Sequence, residues 1–140
     1  MPVNWWAIII AAVVKFLIGS AWYAPPVLGR QWQQLSGISQ EQVTSGLVPA
    51  IVVQIIGDLI MAYILALFIA MYGAQDLFTG ALVGGMAWLG FIATIMVGSI
   101  FYERKPPMLI VINAGYQLIG LVVMGAIIGL WPVAATVVPA

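Results

Sequence analysis

The sequence predicts an all-α membrane protein, a bundle of four transmembrane helices, and three observations predict it. Of 140 residues, 64% are apolar and only 6% are charged, with a mean hydropathy of +1.16; soluble domains carry about a quarter charged residues. Four apolar segments, 3–24, 47–72, 77–102 and 108–131, reach the roughly 20 residues needed to cross the hydrocarbon core. The alternating segments of about ten residues that mark a membrane barrel are missing. Residues 1–140 therefore form a single transmembrane domain.

The first segment reads as a permanent span. It has no basic leader and no small-x-small site before Pro25-Pro26, and it is longer than the apolar stretch of a signal peptide. In the loop 25–46, Val27, Leu28, Trp32 and Leu35 fall on one helical side, as in a short helix lying at the membrane interface. Ser39 followed by Gln42 has capping-box spacing, so the second helix is expected to begin near Gln40 and to kink at Pro49. Gly73-Ala74-Gln75-Asp76 is a turn short enough to force the second and third spans into antiparallel neighbours. Glu103-Arg104-Lys105-Pro106-Pro107 ends the third span, because proline cannot continue a helix that precedes it.

Orientation follows from the basic residues outside the spans. Arg30 lies in the first loop, and Arg104 and Lys105 lie in the third, whereas the tails and the second loop have none. The positive-inside rule then puts the first and third loops in the cytoplasm and both termini on the periplasmic side of a bacterial inner membrane. Aromatic residues mark two belts: Trp5, Trp6, Tyr72, Phe78 and Trp131 outside, and Trp22, Tyr23, Phe101 and Tyr102 inside.

A shift of 79 residues lays Ile18-Gly19-Ser20-Ala21-Trp22-Tyr23 on Val97-Gly98-Ser99-Ile100-Phe101-Tyr102, each followed by a double proline. A shift of 59 lays Gln54 on Asn113 and Asp58-Leu59-Ile60 on Gln117-Leu118-Ile119. The chain is therefore expected to be two tandem helical hairpins related by a pseudo-two-fold axis along the membrane normal.

Ionisable residues inside spans carry the most information, since a charge at the bilayer centre costs at least ~2.5–3.5 kcal/mol. Two occur, Lys15 and Asp58. At a rise of ~1.5 Å per residue they lie about 13 and 16 Å from the cytoplasmic ends of their spans, so a pair is expected. Gln54, Thr94, Asn113 and Gln117 fall in the same slab, with Thr94 in the place of Lys15 in the second hairpin. Two readings of this layer stand. The residues either act as interhelical glue, or they line a site that binds or conducts a small solute or ion. Gly80 with Gly84, and Gly125 with Gly129, form small-xxx-small stripes for helix packing, within the bundle or between protomers.

Other chemistry is restricted. Without histidine or cysteine, the usual metal sites, thiol chemistry and the commonest general base are excluded. No nucleotide loop or nucleophile elbow is found, so neither enzymatic activity nor a cofactor is expected, and zero net charge gives no footprint for nucleic acid. The expected partners are the lipid bilayer and either further copies of the chain or a larger membrane complex.

Asn4-Trp5, Gly19-Ser20-Ala21-Trp22-Tyr23 with Pro25, Gly29 and Trp32, then Ala87-Trp88-Leu89-Gly90-Phe91, Gly98-Ser99, the turn Glu103 to Pro106, and Ile112-Asn113-Ala114-Gly115-Tyr116 resemble the DUF1761 family of small bacterial membrane proteins. The resemblance covers most of the chain and implies a four-span inner-membrane protein, with no activity attached. Lys15 departs from the apolar or small residue usual there. The expected function is a homo-oligomer whose polar layer binds or conducts a small solute or ion. The alternative is a non-catalytic accessory subunit of a respiratory or photosynthetic complex.

Overall fold

The computed structural model describes residues 3–74 and 76–131. Among these, every regular element is helical: α1 (Trp5–Trp22), a π-helical turn (Pro25–Gly29), α2 (Arg30–Ser36), α3 (Gln40–Ser45), α4 (Leu47–Tyr72), α5 (Leu77–Trp88), a second π-helical turn (Leu89–Ala93), α6 (Thr94–Tyr102) and α7 (Pro107–Leu130). Four stretches are long and apolar enough to cross a membrane: α1, α4, the continuous run Leu77–Tyr102, and α7.

Local chemistry sets the helix starts. Asn4 caps α1, its side chain accepting from the Ala7 N–H. Asp76 caps α5, accepting from the Thr79 N–H and hydroxyl, both at 2.8 Å. Ser39 and Gln42 form the reciprocal capping box of α3. Helix α3 does not run on into α4 and kink at Pro49. The chain breaks at Gly46 instead, because Pro49 has no N–H for the Ser45 carbonyl and its ring would strike that carbonyl. The helical bonds stop at Gly46 N–H to Gln42 and resume at Ala50 N–H to Gly46. Pro49 thus sits in the first turn of α4, where a missing N–H costs nothing. In the loop, Leu28, Trp32 and Leu35 are half-buried on one side, while Val27 is turned out.

Helix α7 is the hub, packing extensively on both α5 and α1; α1 also packs on α4. Glycines on two faces of α7 allow this. A Cβ on Gly80 or Gly84 would overlap the carbonyls of Gly125 or Leu121, and one on Gly129 would meet the Asp76 carbonyl. The stripes Gly80/Gly84 and Gly125/Gly129 are therefore the α5–α7 contact within one chain. On the other side α1 packs on α4, and Ala7, Ala11 and Ala12 of α1 and Ala62 and Ala66 of α4 share one buried cluster with Leu65, Ile69, Met124 and Ile128. Between lipid-soluble helices such close van der Waals packing, rather than exclusion of water, holds the bundle.

The hairpins are not interchangeable. A two-fold axis along the membrane normal would make the α1–α7 and α4–α5 contacts alike, yet the first is extensive and the second slight. The π-helical turn at Leu89–Ala93 belongs to the third span alone among the four. One extra residue in a turn rotates everything after it by about 100°, and α6 has no buried residue.

Candidate functional site

Lys15 belongs to the α1 stripe Ala7, Ile8, Ala11, Ala12, Lys15, which faces the bundle, so its side chain is carried inward with the alanines. It is 0% exposed and Asp58 is 1% exposed. Lys15 Nζ donates to Asp58 Oδ1 at 2.8 Å and to the Tyr116 hydroxyl at 3.0 Å. It also lies 4.4 Å from the centroid of the Tyr116 ring, a cation–π distance. The Tyr116 hydroxyl in turn donates to the Lys15 carbonyl at 3.3 Å. Gln54, one turn before Asp58 on α4, donates from Nε2 to the same Oδ1 at 2.8 Å, although much of its side chain is on the exposed face of the helix.

Two glycines make room for this cluster. A Cβ at Gly120 would press on the Lys15 stem at 2.9 Å, and one at Gly19 would meet the Tyr116 hydroxyl at 2.8 Å. Lys15 thus lies along α7 where Gly120 leaves space, and its ammonium reaches the junction of α1, α4 and α7.

Toward the loop end of the bundle a second set of bonds ties α1 to α7. Trp22 Nε1 donates to the Ile112 carbonyl at 3.0 Å, and the Tyr23 hydroxyl donates to Asn113 Oδ1 at 2.7 Å. Tyr23 also meets Tyr116 edge to face at 5.5 Å. Trp88 Nε1 donates to the Ala114 carbonyl at 2.9 Å, linking the third span to α7.

Of the six polar residues expected in one layer, the structure brings together Lys15, Asp58 and Gln54. Asn113 is engaged by Tyr23 nearer the loop end. Thr94 is not in the layer: it is exposed, and its hydroxyl bonds the Gly90 carbonyl at 2.9 Å. The π-helical turn just before Thr94 swings it off the face that Lys15 occupies in α1. Gln117 lies on α7 beside Tyr116, with Oε1 buried. Tyr116 joins the cluster from outside the expected layer; Asn113, Tyr116 and Gly120 share one helical face, and a phenol in mid-span needs a partner.

The charge balance of the cluster is closed, but its hydrogen bonding is not. Both donors reach Asp58 through Oδ1. Among the described residues, the buried side-chain atoms without a hydrogen-bond partner are Asp58 Oδ2 and Gln117 Oε1, and both are acceptors. Unsatisfied buried acceptors are uncommon, and each carries a desolvation cost of about 1–3 kcal/mol unless something donates to it.

A family model described as "Protein of unknown function (DUF1761)" matches residues 6–129. The chain belongs to the DUF1761 family. The DUF1761 match runs from the first turn of α1 almost to the end of α7, so it takes in Lys15, Asp58, Tyr116 and Gln117. Neither the curated proteins nor the solved structures give a match.

Proposed function

We propose that this DUF1761 chain is a non-catalytic protein of the bacterial inner membrane, with both termini periplasmic, whose polar layer binds a small hydrogen-bond-donating solute or ion. The observation that carries this reading is the pair of buried acceptors, Asp58 Oδ2 and Gln117 Oε1. Packing glue alone calls for acceptors matched by donors, and here the donors Lys15 and Gln54 converge on one oxygen and leave the other. Asp58 lies near the middle of α4, about 16 Å from its start and 21 Å from its end by helical rise, where bulk water does not compete.

The non-catalytic reading draws on the serines. Ser20, Ser36, Ser45 and Ser99 each donate to a carbonyl of their own helix, and Ser39 is a cap. We infer further that the chain forms a homo-oligomer, a reading supported by α4 and the third span, which are little enclosed, and by Gln54, which leaves polar surface on an outer face beside Asp58.

The test is a titration of the chain in lipid nanodiscs, labelled with 13C at aspartate carboxyls and 15N at glutamine amides. Ammonium chloride and ethanol serve as small donors. Saturable shifts at Asp58 and Gln117 are expected with at least one of them, and the Asp58 shift should weaken in Gln117→Leu. No saturable change with either donor would leave the two acceptors to water and return the layer to packing.

A further inference from the structure

Resting on the homo-oligomer reading, we propose that two copies pair through α4, about a two-fold axis along the membrane normal, with the Gln54 amides of the two copies bonded to each other. The residue that calls for a second copy is Gln54. Its Nε2 donates one proton to Asp58 Oδ1 at 2.8 Å, and among the described residues the other N–H and the carbonyl have no partner. The residue is nonetheless exposed, on the lipid side of α4.

Depth makes that exposure costly. Trp22 lies about 10 Å from Lys15 toward the loop end of α1, and Gln54 lies about 6 Å from Asp58 toward the same end of α4. Since Lys15 and Asp58 meet, the amide sits inside the level of Trp22, among hydrocarbon. The bond to Asp58 holds it toward mid-span rather than toward the headgroups. Lipid tails offer neither donor nor acceptor, and a polar group left bare among them is unfavourable. A primary amide carries both a donor and an acceptor. The group that matches it without adding charge is another amide facing it, and a two-fold axis presents the identical residue in that way.

The helix around Gln54 is patterned for such a pair. Ala50, Gln54, Gly57, Met61, Ile64 and Phe68 follow one another at spacings of four, three, four, three and four residues, the a/d seam of a left-handed helix pair. All but Met61 are exposed, and Met61 is half-buried. Close glycine contacts draw α5 onto α7, so the third span gives α4 slight contact and leaves the seam open. At Gly57 nothing lies within 4 Å of where a Cβ would be, which is where a second helix approaches most closely. One polar residue in an otherwise apolar seam fixes register and partner number, and Gln54 is that residue. Copies inserted in the same orientation bring their seams together in parallel, with Gln54 at equal depth in both.

The chain has no cysteine, so single-cysteine variants of the full chain report one position each. In phosphatidylcholine vesicles treated with copper phenanthroline, Ala50→Cys, Met61→Cys and Ile64→Cys should form covalent dimers. Val52→Cys and Ile56→Cys, exposed on other faces of α4, should form severalfold less. Förster transfer between differently labelled copies, followed as lipid is added, reads the dissociation constant. Gln54→Leu should weaken pairing roughly sevenfold, the worth of two average interhelical hydrogen bonds in a membrane. Gly57→Leu should weaken it about tenfold through overpacking of the seam. Its Cβ meets nothing within a single chain, so its helicity and unfolding should match the parent, and it carries the test if Gln54→Leu fails to fold.

The failures are distinguishable. Transfer that persists unchanged in Gln54→Leu and Gly57→Leu, or cross-links strongest at Val52→Cys, Ile56→Cys or Ile95→Cys on the third span, would overturn the α4 seam and leave the homo-oligomer standing. Absence of transfer at every lipid dilution would overturn both.

Discussion

Replacing Lys15 with methionine should destabilise the protein far more than replacing Lys15 and Asp58 together. In Lys15→Met the carboxylate of Asp58 keeps its place, 1% exposed, and loses the ammonium at 2.8 Å, leaving Gln54 as its remaining donor. An unpaired charge at this depth costs at least ~2.5–3.5 kcal/mol, so a loss of about 3 kcal/mol is expected, roughly a hundredfold in the folded-to-unfolded ratio. The hydrogen bonds themselves contribute less, since interhelical bonds in membranes average about 0.6 kcal/mol. In Lys15→Met with Asp58→Leu the uncompensated charge is gone, and buried pairs replaced by apolar residues of similar volume are often neutral or better. The double variant should recover most of the loss. Tryptophan fluorescence during reversible unfolding in mixed micelles reads all four members of the cycle. A double variant as unstable as Lys15→Met, or a single variant equal to the parent, would refute the reasoning.

Three further outcomes follow from the geometry. Gly84→Leu should lose more than the ~1–3 kcal/mol typical of overpacking, because its Cβ meets the Leu121 backbone, which cannot rotate away; thermal unfolding in detergent measures it. Tyr116→Phe keeps the ring under the ammonium but removes the bond accepted from Lys15 and the bond donated to its carbonyl, an expected loss of ~1–2 kcal/mol in the same unfolding assay. Asp76 has its carboxyl held below the ordinary 3.8 by the backbone and side-chain bonds from Thr79, with burial opposing weakly. Its cap therefore stabilises α5 fully above pH 3.8 and is lost as pH falls through the lower folded value. Melting curves in acid should show a downward limb that Asp76→Asn flattens.

Much of this fold was legible in the sequence because the membrane permits few solutions. Spans announce themselves by length, and Lys15 and Asp58 are conspicuous where charge is costly. Gln54 follows from one helical turn. The glycine stripes could be seen, but not that they face one another within a chain, since Gly80 and Gly125 show their contact only when folded. What escaped the sequence came from small local rules with large consequences. Pro49 pushes the break back to Gly46, three residues before the expected kink. The extra residue in the turn at Leu89–Ala93 removes Thr94 from the layer, and no composition signal marks a π-helical turn in an apolar run. Tyr116 shares a helical face with Asn113 and Gly120, but its bonds to Lys15 exist only once α7 packs on α1, and nothing in the local sequence marks that pairing.

The most direct measurement is native mass spectrometry of the protein released gently from its own membranes, with Gln117→Leu run beside it. The account predicts a homo-oligomer that carries a small non-covalent mass, diminished in Gln117→Leu while the oligomer stays intact. A bare chain, a bound mass indifferent to Gln117, or co-purification in fixed ratio with larger subunits would contradict it.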